Sequence, residues 1–128
     1  MPTTTSDDIS SHTTIATLGD YQAAALRTAS PASLATPDTA LTNAALGLCG
    51  EAGEFAELVK KHLFHGHPID QDKMVKEIGD VLWYVAFAAR AVGVSLDEVA
   101  ERNVAKLRAR YPEQFETHLS TGKDESRE

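Results

Sequence analysis

The stretch Leu48-Cys-Gly-Glu51-Ala-Gly-Glu54-Phe-Ala-Glu57, read together with Lys76-Glu77-Ile-Gly-Asp80-Val-Leu82, decides the fold. Glu51 and Glu54, like Glu77 and Asp80, stand i, i+3 apart inside runs whose apolar residues recur at helical intervals. On a helix that spacing puts two carboxylates on one side, one turn apart. Each pair is then a two-pronged set of oxygen ligands, and two pairs facing each other suit a hard divalent cation. One such pair is ordinary on a solvated helix. Two matching pairs in one short chain require a joint explanation.

At about 100° per residue, the apolar stripe of the first segment runs through Leu41, Ala45, Leu48, Ala52, Phe55 and Val59. That of the second runs through Met74, Ile78, Val81, Val85, Ala89 and Val92. Glu51 lies at the edge of its stripe with Glu54 one step beyond, and Glu77 and Asp80 are displaced from theirs in the same sense. An antiparallel hairpin of the two helices therefore lines one groove with both acidic pairs, beside a shared core. Carboxylates gathered there repel one another and lose solvation, so a cation or protons must offset the cost. Lys73 and Tyr84 fall near the angular line of Glu77 and Asp80, so a lysine and a phenol border the groove.

The 128 residues suffice for one domain. Hydrophobic residues at 42% and charged residues at 24% describe an ordinary globular chain. No apolar run approaches the roughly 20 residues that span a bilayer, and the start shows no basic region followed by an apolar one. A cytoplasmic protein without a membrane partner is expected. Cys49 is the one cysteine; it excludes an intramolecular disulfide and reads as a small packed residue on the core side of its helix. A net charge of −7 argues against a surface that coats nucleic acid polymers. It leaves anionic small molecules open, because a bound cation reverses the local sign.

Along the chain, residues 1–16 read as a disordered tail rich in Thr and Ser, residues 17–118 as the folded domain, and residues 119–128 as a flexible tail. From Leu18 the sequence becomes helical, and Tyr21, Ala24, Ala25, Leu26 and Ala29 suggest a short first helix, interrupted by Pro31 and Pro37. Asp38 or Thr39 is expected to cap a long helix over 39–62. Gly47, Gly50 and Gly53, with Ala44, make one flank of that helix small, for close packing or for a ligand approaching the backbone. His62, His65 and His67 read as a solvated turn, since no cysteine or Glu-x-x-His pattern accompanies them. Asp70 is expected to cap a helix over 71–92, from which Trp83 and Phe87 project as a second packing face. Ser95-Leu-Asp-Glu98 reads as a capping box opening a last helix that ends at Tyr111-Pro112. Phe115 is expected to fold back onto the core.

The fold class is therefore all-α, a four-helix bundle. All-oxygen ligation suits Mg²⁺ or Mn²⁺ and disfavours the Glu-x-x-His pairs of diiron bundles. Such ions orient polyphosphates and activate water, which leads to hydrolysis of a phosphoanhydride.

Three ordered blocks, Gly47-Leu-Cys-Gly-Glu51-Ala-Gly-Glu54-Phe-Ala-Glu57, Glu77-Ile-Gly-Asp80-Val-Leu-Trp-Tyr84 and Asn103-Val-Ala-Lys106-Leu-Arg-Ala-Arg110-Tyr111-Pro112, resemble the MazG-like all-α nucleoside triphosphate pyrophosphohydrolases. The resemblance implies Mg²⁺-dependent conversion of an NTP or dNTP to the monophosphate and pyrophosphate. It implies Glu51, Glu54, Glu77 and Asp80 as metal ligands, and Asn103, Lys106 and Tyr111 as residues that help to hold the nucleotide. It also implies a bundle completed by a homodimer or homotetramer, whose interface would account for Trp83 and Phe87. Many relatives carry Glu-Glu-x-x-Glu; here the first position is Gly50, and the sequence resembles the Gly-Glu-x-Gly-Glu branch that includes dCTP pyrophosphatase-like proteins. The general base is thus open between Glu54 and Glu57, either of which could assist an attacking water. A phosphoribosyl-ATP pyrophosphohydrolase and a noncatalytic metal-binding helical dimer are the competing readings.

Overall fold

The computed structural model describes residues 14–121, and within them all regular structure is helical. Of the tails expected over 1–16 and 119–128, residues 1–13 and 122–128 lie outside the described residues, and 119–121 belong to a short helix. Five helices follow in order: α1 Leu18–Leu26, α2 Pro37–His65, α3 Gln71–Ala91, α4 Leu96–Arg110 and the short α5 Thr117–Thr121, with a 3-10 turn Pro31–Leu34 between α1 and α2.

Local chemistry sets the helix ends. Thr17 opens α1 with a reciprocal cap: its hydroxyl accepts from the Asp20 N–H at 3.0 Å, and the Asp20 carboxylate accepts from the Thr17 N–H at 3.1 Å. The cap of α2 is Thr36, not Asp38 or Thr39, because Pro37 occupies the first helical position, where a missing N–H costs nothing. α2 also runs on to His65, where Gly66 turns the chain with φ 71°. Asp70 caps α3 as expected. Ser95 caps α4, but only half of the expected capping box forms: the Glu98 carboxylate accepts instead from Arg102, at 2.6 Å.

α2 and α3 form the antiparallel hairpin, and α1 lies across α3 and the start of α4. Two small clusters make the core. Phe87 packs with Ala40 and Ala44, joined by Leu26, Leu34 and Trp83; Leu96 packs with Ala86 and Ala89, joined by Tyr21, Val85 and Val94. Polar side chains fix α1 in place. The Trp83 indole N–H donates to the Ala25 carbonyl at 2.9 Å and to the Thr28 hydroxyl at 3.0 Å. Gln22 donates to the Ala86 carbonyl at 3.1 Å and accepts from the Leu96 N–H at 3.0 Å, pinning α1 to the corner between α3 and α4.

This packing adds the Trp83–Phe87 face of α3 to the core and keeps only part of the stripe expected there: Ala89 is buried and Val85 packs against its cluster. Phe87 is fully buried and Trp83 half-buried, both inside one chain, so neither needs a partner subunit. The helix stripes expected in the core face outward in part: Leu41 is 43% exposed and Ile78 53%. The buried line of α2 is Ala40 and Ala44, one position round, because small residues let α3 approach closely while its large aromatics fill the space. The same rotation leaves Cys49 exposed rather than packed. Phe115 stays 66% exposed and meets the Tyr111 ring, centroids 5.3 Å apart, instead of the core.

Candidate metal centre

The α2–α3 register determines which acids meet. Gly47 lies one turn before Glu51 and faces Tyr84, which lies one turn after Asp80; a Cβ on Gly47 would fall inside the Tyr84 ring. That close approach, part-way along the hairpin, brings carboxylate oxygens of Glu51, Glu77 and Asp80 within 4.8 Å of one another. Glu51 and Glu77 are half-buried and Asp80 is exposed. Partial burial, followed by the negative charges of Asp80, Glu77 and Glu54, pushes the Glu51 carboxyl above its ordinary range. The charges acting on Glu51 are all negative, and a bound cation would relieve their repulsion. Three hard oxygen donors, without thiolate or imidazole among them, fit Mg²⁺ or Mn²⁺.

The other expected residues are distributed around this group. Glu54 is exposed one turn further along α2, outside the three-residue cluster, yet close enough for its charge to act on Glu51. Glu57 pairs with Lys60 at 3.2 Å, and the Lys60 hydrogen bond pulls its carboxyl below the ordinary range. That shift is the reverse of what tunes a carboxylate as a base. Lys73 turns toward the hairpin end, where it lines a small cavity with Lys61. The Tyr84 ring is committed to packing, edge-on to Trp83 with centroids 4.9 Å apart. Asn103 and Lys106 are exposed on α4, which leaves α3 at a bend of 95°; Tyr111 follows the end of α4, with the Arg110 guanidinium 5.6 Å from its ring centroid.

The MazG nucleotide pyrophosphohydrolase domain matches residues 39–115, more than half of the chain and inclusive of all three clustered acids. The chain belongs to the MazG nucleotide pyrophosphohydrolase family. It is also 42% identical over 74 residues to the Gene 37 protein of Mycobacterium phage L5. That likeness takes in 55% of this chain and 65% of the phage protein, so the chain spans less than two thirds of its relative's length. No solved structure matches.

The MazG match begins after α1, and α1 brings in a phenol, Tyr21, that feels the charge of Asp80 and that the sequence did not single out. The Tyr21 hydroxyl is pushed above its ordinary range by burial and then by the charge of Asp80. No spacing rule connects residue 21 to residue 80; only the laying of α1 across α3 does so. A cleft of about 560 Å³ lies elsewhere, between α1 and the α3–α4 turn, and none of the acidic group lines it.

Proposed function

We propose that this MazG-family chain is a Mg²⁺-dependent nucleoside triphosphate pyrophosphohydrolase, converting an NTP or dNTP to its monophosphate and pyrophosphate. Mn²⁺ would substitute on the same oxygen donors. The observation that carries this reading is the convergence of Glu51, Glu77 and Asp80 within 4.8 Å on two packed helices. When bound, a divalent cation there polarises phosphoryl oxygens and offsets the charge of the polyphosphate.

The protein's own groups divide the rest of the work. Glu51, Glu77 and Asp80 hold the charged centre. Glu54, one turn along and free of any ion pair among the described residues, accepts the proton of the attacking water. Water adds to the α-phosphorus, the bond from that phosphorus to the bridging oxygen breaks, and pyrophosphate leaves. Glu57, drawn off by Lys60, holds its partner rather than the water.

Asn103 and Lys106 meet the nucleotide across a subunit interface in this reading. The support is the 95° bend that carries α4 away from the hairpin, and the exposure of Val75, Ile78 and Leu82 along one face of α3 at i, i+3, i+7. A homodimer or homotetramer covers that face.

Pyrophosphate release with Mg²⁺ across canonical and modified NTPs and dNTPs tests the assignment, with Glu51→Gln as the control. Release that disappears in the control is expected. Turnover confined to phosphoribosyl-ATP would replace free nucleotides as substrate, and no turnover of any nucleotide by the folded, metal-loaded protein would remove the enzymatic reading.

A further inference from the structure

The acidic groove does not end at the acids. Two turns toward the hairpin end, α2 and α3 enclose part of a cavity of about 160 Å³. Its position follows from the helix lines that carry the site. Leu58 lies seven residues after Glu51, two turns along the same side of α2, and Lys73 lies four residues before Glu77, about 6 Å along α3. The cavity is thus set off from the metal centre along the groove by a distance that a sugar can bridge.

The lining identifies the guest. Leu58, Met74 and Pro68 supply apolar walls, while Lys61, Lys73 and His67 supply polar ends. Neither lysine has an ion-pair partner among the described residues; Glu77 follows Lys73 by four residues, the less favourable order for such a pair on a helix. Asp70 also borders the cavity, and one of its oxygens already accepts from the Lys73 N–H at 3.2 Å, as the cap of α3. A polyphosphate would meet three hydrocarbon walls and a carboxylate there. A flat heteroaromatic ring suits the walls, and the two ammonium groups select rings that present carbonyl oxygens.

We infer that this cavity receives the nucleobase, and that Lys61 and Lys73 determine specificity by donating to a carbonyl edge. The site therefore favours 4-oxopyrimidines and 6-oxopurines over their amino counterparts. The inference rests on the pyrophosphohydrolase reading for the direction of the nucleotide in the groove. The resemblance to dCTP pyrophosphatase-like proteins lies in the Gly50–Glu54 pattern, which contributes no residue to the cavity.

Calorimetric binding of dUMP and dCMP to the full chain in Mg²⁺ separates this inference from the reaction itself. The two ligands differ at the pyrimidine edge, a carbonyl against an amino group. Wild type is expected to bind dUMP about tenfold more tightly, the effect of one charge-assisted hydrogen bond. Lys61→Met should bring the ratio to near one, with Lys73→Met on the other helix doing the same, and thermal melting confirming that each variant is folded. Equal binding of the two ligands by wild type overturns the inference, as does binding of neither. Equal weakening of both by Lys61→Met also overturns it, because that pattern marks a phosphate contact. Absence of pyrophosphate release, with the dUMP preference intact, would instead overturn the reaction and spare the cavity.

Discussion

Gly47 and Tyr84 stand so close across the α2–α3 contact that no side chain fits between them. One turn toward the hairpin end from this contact, Glu51 meets Asp80 and Glu77. The closeness of the two helices at the glycine therefore sets the separation of the carboxylates at the candidate metal centre. Gly47→Ala gains about 1 kcal/mol of helix propensity and loses more to the overlap with the ring, about 1–3 kcal/mol. A lower melting temperature and weaker Mg²⁺ binding are expected together, with Tyr84→Ala in the same chain restoring part of both. Gly50→Ala and Gly53→Ala meet open space and should each raise stability by up to about 1 kcal/mol. Equal effects at all three glycines would contradict the packing role of Gly47.

Repulsion at Glu51 makes the metal-free protein pay for its own site, and this has a sign that can be measured. Removing one charge by Asp80→Asn should leave metal-free stability unchanged or higher. Wild type should gain about 2.7 kcal/mol at a Mg²⁺ concentration one hundred times its dissociation constant, and the variant should gain far less. Thermal melts with and without Mg²⁺ read both effects. A metal-free variant that melts well below wild type would mean that Asp80 has a structural partner instead.

Glu54 and Glu57 are separated by what holds them. The Lys60 bond draws the Glu57 carboxyl below its usual 4.5, so this pair contributes stability at neutral pH and loses it as pH falls through the depressed value. Glu57→Gln is expected to keep turnover within about threefold, whereas Glu54→Gln loses about 10²–10⁴-fold, the range for a general base. Steady-state kcat at saturating Mg²⁺ decides between them, and a larger loss at Glu57 would reverse the assignment.

Much of the site was legible because helix geometry alone puts i, i+3 carboxylates on one side, and three of the four expected ligands do converge. α3 was legible to within one residue at its C-terminal end, since Asp70 and Gly93 mark its limits in the sequence. The choice of the inner face was not. Periodicity gives α3 two apolar faces, and both contribute to the core; Ala40, Ala44 and Gly47, whose signal is small size rather than hydropathy, make room for the aromatic one. The cavity at Lys61, His67 and Lys73 was equally hidden, because it exists only where the hairpin closes.

The buried and the exposed positions of α3 predict opposite results for two kinds of substitution. Phe87→Ala should cost about 3–5 kcal/mol of folding stability, because the ring is buried within its own chain. Ile78→Glu places a charge on an exposed position and should leave the monomer folded while breaking self-association. Sedimentation equilibrium and chemical denaturation measure the two quantities separately. An unchanged assembly mass for Ile78→Glu would move the interface off this face of α3.

The central claim is that the acids shared by α2 and α3 direct water to the α-phosphorus of a nucleotide. Product analysis in isotopically labelled water, with Mg²⁺ present, tests it most directly. The account predicts monophosphate and pyrophosphate as products, the label in the monophosphate, and loss of both products in Asp80→Asn. Label in the pyrophosphate, release of a single phosphate, or undiminished turnover by Asp80→Asn would contradict it.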